Sequence, residues 1–232
     1  MYWDPHYVLY VALPLLGLSL LVQLYLKSTY AHYSQVESRR GLTGAEAAER
    51  ILSQAGIRDV RVEQVEGFLS DHYDPRHKVL RLSPRNYSGR SISSLGVAAH
   101  EAGHAIQHAQ SYALLKLRNL AVPVANLGSN LGLVVIVIGL ATHSTPLAMV
   151  GFVLIFGILV FELVNLPVEF DASKRALQIL PESGILTVEE TRGAQKVLGA
   201  AALTYVAAMI ATLWTLIYYA FRLGLLGRRS ND

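Results

Sequence analysis

His100-Glu101-Ala102-Gly103-His104 is the group of residues whose types and spacing name a chemistry. On an α-helix, positions i and i+4 project to one face about 40° apart, so both imidazoles can reach a single zinc ion. The residue after the first His then faces a zinc-activated water and can take its proton as the water attacks a carbonyl. Around the motif, Val97, Ala98, Ala99, Ala102, Gly103, Ala105 and Ile106 are apolar or small. An unpaired charge on so apolar a stretch would be expensive. Two other readings compete. One is a buried helix whose two His are satisfied by neighbours. The other is half of a di-iron carboxylate site, which requires a second Glu-x-x-His, and the chain has none.

A catalytic zinc needs a third protein ligand and an open fourth position. None of His6, His32, His72, His77, His108 and His143 continues the motif as His-x-x-Gly-x-x-His. Glu169, in Val168-Glu169-Phe170-Asp171-Ala172-Ser173, is the stronger candidate, 65 residues beyond His104. Cysteine is absent, which excludes disulfides, thiolate metal sites and a cysteine nucleophile.

The elements that must position these groups are legible from local pattern. Thr43-Gly44-Ala45-Glu46 is a capping box, and Ala47, Ile51, Leu52 and Ala55 follow on one face before Gly56, predicting a helix over 44–55. Val60 to Val65 alternates as a half-buried strand, and Val79-Leu80-Arg81-Leu82 reads as a second strand, antiparallel to the first. Between them Ser70-Asp71-His72-Tyr73-Asp74-Pro75 reads as a turn. Residues 91–110 form the helix that carries the motif, and a polar helix is expected to start near Glu169.

Of 232 residues, 52% are hydrophobic and 16% charged, outside the usual soluble range. Residues 7–26, 119–141 and 198–221 contain no Asp, Glu, Lys or Arg, and 145–166 contains only Glu162. Each stretch is long enough for a hydrocarbon core of about 30 Å. The fold class is therefore mainly α and integral to the membrane, with about four transmembrane helices and a small α/β zincin-like segment. Five parts follow: a retained anchor at 1–26, bounded by Trp3, Tyr7, Tyr10, Tyr25 and Tyr30; an α/β segment at 27–118 with the motif helix; a transmembrane hairpin at 119–166; a polar segment at 167–197 with the candidate third ligand and a helix from Thr187; and a last span with a basic tail at 198–232. Gly128 and Gly132 permit close helix approach, and Ala200, Thr204, Ala208 and Thr212 repeat as a packing stripe.

The hairpin returns both polar segments to one side of the membrane. They hold 13 and four of the 20 Lys and Arg, so that side is expected to be cytoplasmic. Arg222, Arg228 and Arg229 in the tail count against this. A net charge of +3, with no basic run longer than two residues, gives no reason to expect nucleic acid as a partner. The expected partners are the lipid bilayer and a peptide or membrane-protein substrate; the oligomeric state is open.

Three blocks together resemble a known family. Asp71-His72-Tyr73-Asp74-Pro75, Gly96 to Gln107 around the motif, and Asn165-Leu166-Pro167-Val168-Glu169-Phe170-Asp171-Ala172-Ser173 are similar to the signature blocks of the YugP-type membrane zinc metallopeptidases of bacteria. More distantly they resemble HtpX-type heat-shock proteases and CAAX prenyl proteases. The resemblance implies one zinc per chain held by His100, His104 and Glu169, Glu101 as general base, a place in the bacterial inner membrane, and a link to membrane protein quality control. Ser173 stands where the distant relatives have an Asp that orients a ligating His, with Asp171 as a substitute.

Further candidates each carry a functional and a plain reading. Asp171 orients a ligating imidazole or caps a helix start. Glu162 is an intramembrane acid, functional by default, but it sits near the membrane boundary. His108 continues the motif face by one turn and reads as a satisfied surface histidine. His72 and Tyr73 donate to an oxyanion or merely belong to a turn. The strand at Val79, Leu80 and Arg81 binds substrate by main-chain pairing if its edge stays open. The alternative to an enzyme is a metal-binding scaffold or metal-handling membrane protein without hydrolysis, in which Glu101 would have no purpose.

Overall fold

The computed structural model describes residues 4–226. Trp3, Arg228 and Arg229, assigned above to the membrane boundary and the basic tail, lie outside the described residues. A short helix α1 (Pro5–Tyr7) and a π-helical turn (Val8–Ala12) lead into α2 (Leu13–Ser34). There follow α3 (Gly44–Gln54), strands β1 (Arg61–Gln64), β2 (His72–Asp74) and β3 (Val79–Leu82), then α4 (Pro84–Tyr87) and α5 (Ile92–Ala109). Three long helices complete the chain: α6 (Ala113–Ala141), α7 (Thr145–Glu182) and α8 (Val188–Arg222).

Among the described residues, four helices are long and apolar enough to cross a membrane: Pro5–Ser34, Ala113–Ala141, Thr145–Glu182 and Val188–Arg222. The fold is thus mainly helical and integral to the membrane, with a small three-stranded sheet. At 1.5 Å per residue the 38 residues of α7 extend about 57 Å, far more than the hydrocarbon core requires. Glu169 lies in the C-terminal part of this helix, where Asp171, Lys174 and Arg175 replace the apolar run.

The expected helix start near Glu169 is not there. Pro167 lies inside α7, because a proline in a long membrane helix costs one backbone bond that neighbouring groups can replace. Asp171 is accordingly a mid-helix residue and caps nothing. Similarly α8 starts at Thr187, where Glu190 accepts from the Thr187 amide at 2.7 Å and the Thr187 hydroxyl accepts from the Glu190 amide at 3.2 Å, and runs on without a break into the last span. Local signals located the starts of α3 and α5. Thr43 and Glu46 form the reciprocal cap of α3, and the Ser91 hydroxyl accepts from the Ser94 amide at the start of α5.

The sheet corrects two expectations. His72-Tyr73-Asp74 is a strand, not a turn, and it pairs antiparallel with β3. β1 and β3 run parallel, in register from Arg61 opposite Val79 to Gln64 opposite Leu82. The hairpin β2–β3 supplies the reversal, so the two longer strands point the same way. Strand order is β1-β3-β2, which makes β3 central and hydrogen-bonded on both sides. The expectation of an open substrate-binding edge at Val79, Leu80 and Arg81 therefore fails. Val79 and Leu80 are fully buried, and Arg81 pairs with Asp74 at 3.2 Å.

The chain divides into two compact units. Of the described residues, one comprises 4–22, 116–166 and 204–226, the other 23–115 and 167–203. In the first, the Tyr218 hydroxyl donates to Asp4 at 2.8 Å, Arg222 lies 3.5 Å from the same carboxylate, and Asp4, Tyr7, Leu140 and Tyr219 line one cavity. The beginning of α1, the end of α6 and the end of α8 thus gather at one end of this unit. In the second unit, Ile51 and Leu52 of α3, Leu80 and Leu82 of β3, Leu95, Ala98, Ala102 and Ala105 of α5, Ala176 and Leu180 of α7 and Ala194 of α8 form one core. Small residues dominate the α5 face, which lets α7 come close.

Candidate metal centre

α5 presents His100 and His104 one turn apart, their rings 4.8 Å between centroids and nearly perpendicular. Gly103 lies between them against α7: a Cβ there would stand 2.7 Å from the Ala172 carbonyl oxygen. That approach brings Glu169, one turn before Ala172, onto the two rings. Its Oε2 is 3.3 Å from His100 Nε2 and 3.5 Å from His104 Nε2. One donor atom from each of the three residues lies within 4.8 Å of the others, and the group is largely buried.

Two imidazole nitrogens and one carboxylate oxygen are the donor set of a three-ligand catalytic zinc site. Metal–ligand distances of about 2.0–2.1 Å in tetrahedral geometry put neighbouring donors roughly 3.3 Å apart, close to the separations of Glu169 from each imidazole. The residues therefore fit a zinc ion. Burial disfavours the charged form of His104, but Glu169, Glu101 and Gln107 act against it and raise the His104 pKa above its ordinary value. Glu101, 8% exposed, is thus close enough for its carboxylate to act on the ring of His104.

The outer nitrogens of both rings are engaged. Ser173 Oγ lies 3.1 Å from His100 Nδ1, so the serine at the position of the distant relatives' acid still contacts the ring. His104 Nδ1 lies 3.0 Å from Gln107 Oε1, and the Gln107 amide nitrogen donates to the Val168 carbonyl at 2.9 Å and to Asp171 at 2.8 Å. Asp171 therefore reaches the site only through Gln107, and Arg175 donates to it in turn at 2.5 Å. Gln107 was quoted in the motif block above but given no role. Its place three residues after His104, on the same helix face, was the available signal.

The remaining candidates are not brought to the cluster by any contact. His72 is exposed, its Nδ1 2.8 Å from the Ser70 carbonyl. The Tyr73 hydroxyl is engaged with His108 Nδ1 at 2.8 Å, one turn beyond His104. Asp71 accepts from the Ser83 amide at 2.7 Å and from Asn86 at 2.9 Å, tying the sheet to α4. Glu162, in the other compact unit, accepts from the Thr212 hydroxyl at 3.0 Å.

A family model described as "Putative neutral zinc metallopeptidase" matches residues 7–224. The chain is 45% identical over 223 residues to a protein of Bacillus subtilis (strain 168) named "Putative membrane protease YugP", an alignment that covers 96% of this chain and 99% of that protein. No solved structure matches.

Proposed function

The chain belongs to the neutral zinc metallopeptidase family of that model, and from this premise we propose that it is a multi-pass membrane endopeptidase with one zinc held by His100, His104 and Glu169. The observation that carries the reading is the donor triangle, 3.3 and 3.5 Å on two sides, beside the buried carboxylate of Glu101. When bound, zinc supplies Lewis acidity that lowers a water's pKa toward about 7 and polarises a carbonyl. Glu101 takes the proton of the attacking water and returns it to the departing amine. Glu169 and the two imidazoles hold the centre. Ser173 and Gln107 fix the ring orientations from behind. A scaffold or metal-handling protein would need the three ligands but not Glu101, so the carboxylate favours hydrolysis.

Glu101→Gln preserves shape and cannot accept a proton. The purified variant should keep about one zinc per chain while casein or membrane-protein cleavage falls by about 10²–10⁴, and a chelator should abolish the wild-type activity. Undiminished turnover by a zinc-loaded Glu101→Gln protein would remove Glu101 as base and the mechanism with it.

We place the active site on the cytoplasmic side of the cell membrane, on the basic excess of residues 27–118. The clustering of Asp4, Leu140 and Tyr219 in one unit supports an even number of crossings. Because the chain has no cysteine, cysteines introduced at the exposed Ser88 and Glu182 can be labelled cleanly. Both should react from the cytoplasm and one at Ser144 from outside; any other pattern defeats this topology. A role in membrane protein quality control is an analogy at family level, to be tested by identifying membrane proteins that accumulate when Glu101→Gln replaces the wild type.

A further inference from the structure

Gln107 is fully buried, and its amide makes three hydrogen bonds, one to α5 and two to α7. The Val168 carbonyl can only accept, so the amide nitrogen must face α7 and the amide oxygen must face His104. An amide oxygen also only accepts. The proton between Gln107 and His104 therefore sits on His104 Nδ1, and in the neutral imidazole that a metal requires Nε2 keeps its lone pair on the side of Glu169. The same amide nitrogen grips the backbone immediately before Glu169 and the side chain two residues after it. Behind it, Asp171 is held by Arg175, which also donates to Gln110 at 2.7 Å.

We propose that Gln107 is a positioning residue that sets two metal ligands at once: it selects the Nδ1–H tautomer of His104, and it ties the Val168–Asp171 turn of α7 to α5 so that Glu169 meets both imidazoles. A ligand supplied by a distant part of the chain needs a fixed relation to the motif helix. Gln107 hydrogen-bonds both the His104 imidazole and the turn that bears the carboxylate. A carboxylate at the same position would serve the imidazole equally well but repel the carbonyl and Asp171. The amide meets both demands because it accepts at one end and donates at the other. The proposal rests on the zinc reading above.

The test measures zinc affinity of the full-length chain in detergent by competition with a chelator, together with the absorption bands of the cobalt-substituted protein. Gln107→Glu keeps the acceptor for His104 and loses both donors to α7; Gln107→Met loses all three bonds. Each should weaken zinc about 10–100-fold and alter the cobalt bands, and zinc should raise the melting temperature less than in wild type. The pair Gln107→Glu with Asp171→Asn restores a donor at one of the two contacts to α7 and should recover part of the affinity lost by Gln107→Glu alone. If Gln107→Met does not fold, Gln107→Glu, matched in size, decides. Zinc affinity within twofold of wild type overturns the proposal, as does equal loss of stability with and without zinc, or failure of the paired substitution to recover affinity. A wild-type chain that binds no zinc overturns both this inference and the proposed function. Wild-type zinc that is lost on Glu169→Ala but is indifferent to Gln107 overturns this inference alone.

Discussion

In the unit that holds the metal cluster, α5 and α7 meet at Gly103 and Ala172, and within one turn of that contact stand His100, His104 and Glu169. In the unit built from the apolar spans, α6 and α7 meet at Gly139, whose Cβ would stand 2.6 Å from the Ala148 Cα, and at Gly132, 2.7 Å from Ile155. Both contacts use the absence of a Cβ to let backbones approach. In lipid the approach replaces a missing hydrophobic force with van der Waals packing between helices. At Gly103 the approach sets a distance of about 3.3 Å between donor atoms, for which closeness is the chemical requirement. The same local device is tolerant in one place and exacting in the other.

The largest expected contrast is between two acids of α7. Glu169→Ala removes one donor of the three and should reduce bound zinc to a small fraction at concentrations where the wild type is saturated. Glu162→Ala removes only the acceptor of the Thr212 hydroxyl and should leave about one zinc per chain. Metal analysis of both purified proteins checks this. Zinc retained by the first and lost by the second would move the metal into the membrane unit and dissolve the comparison.

Next comes the pair Gly103→Ala and Gly139→Ala. Each added methyl meets backbone atoms, which cannot swing away as a side-chain tip can, so each should cost about 1–3 kcal/mol of stability. Their effects should separate in the metal. Gly103→Ala displaces the Ala172 carbonyl and with it Glu169, lowering zinc affinity at least several-fold, whereas Gly139→Ala should leave affinity unchanged. Melting curves and chelator competition on the two proteins give both quantities, and equal zinc affinity in both would mean that α5–α7 spacing does not govern the site.

What could be read from sequence divides along the same line. His100, Glu101 and His104 were legible because their relation is set by helix period alone, and the Ser91 and Thr43 caps by short-range hydrogen bonding. Glu169 was reached through the hairpin's return of the chain and by resemblance. Gln107 escaped because its partners Val168 and Asp171 are more than 60 residues away, a relation that no local pattern encodes. The strand at His72–Asp74 was missed since three residues before a proline carry too little alternation to outweigh turn chemistry. Its omission then gave β1 and β3 the wrong relative direction. The break expected before Glu169 followed the change from apolar to polar residues, but a change of polarity does not end a helix, and α7 runs on through Pro167, which a membrane helix tolerates.

The smallest predicted effect sharpens the comparison through pH, since polar contacts titrate and glycine contacts do not. At the outer end of α5 the Tyr73 hydroxyl meets His108 Nδ1 at 2.8 Å. Burial, with the charges of Asp59 and Asp74, pushes the Tyr73 pKa up to about 12. In an unfolded chain the phenol ionises near pH 10. Below that value both states are protonated and the contact is complete; between pH 10 and 12 the folded chain binds more protons than the unfolded one, so stability falls as pH rises. Tyr73 is only half-buried, and solvent screening reduces the effect to on the order of 1 kcal/mol across the window. That amounts to roughly 2–4 °C in melting temperature for a chain of this size. Tyr73→Phe should therefore be less stable than wild type at pH 8 yet lose less on going to pH 12, so the two curves converge. Gly139→Ala should give a curve parallel to wild type, lower throughout. Parallel curves for Tyr73→Phe and wild type would mean that burial and the two acids do not hold the Tyr73 phenol protonated, and that the pH sensitivity of this unit arises from other groups.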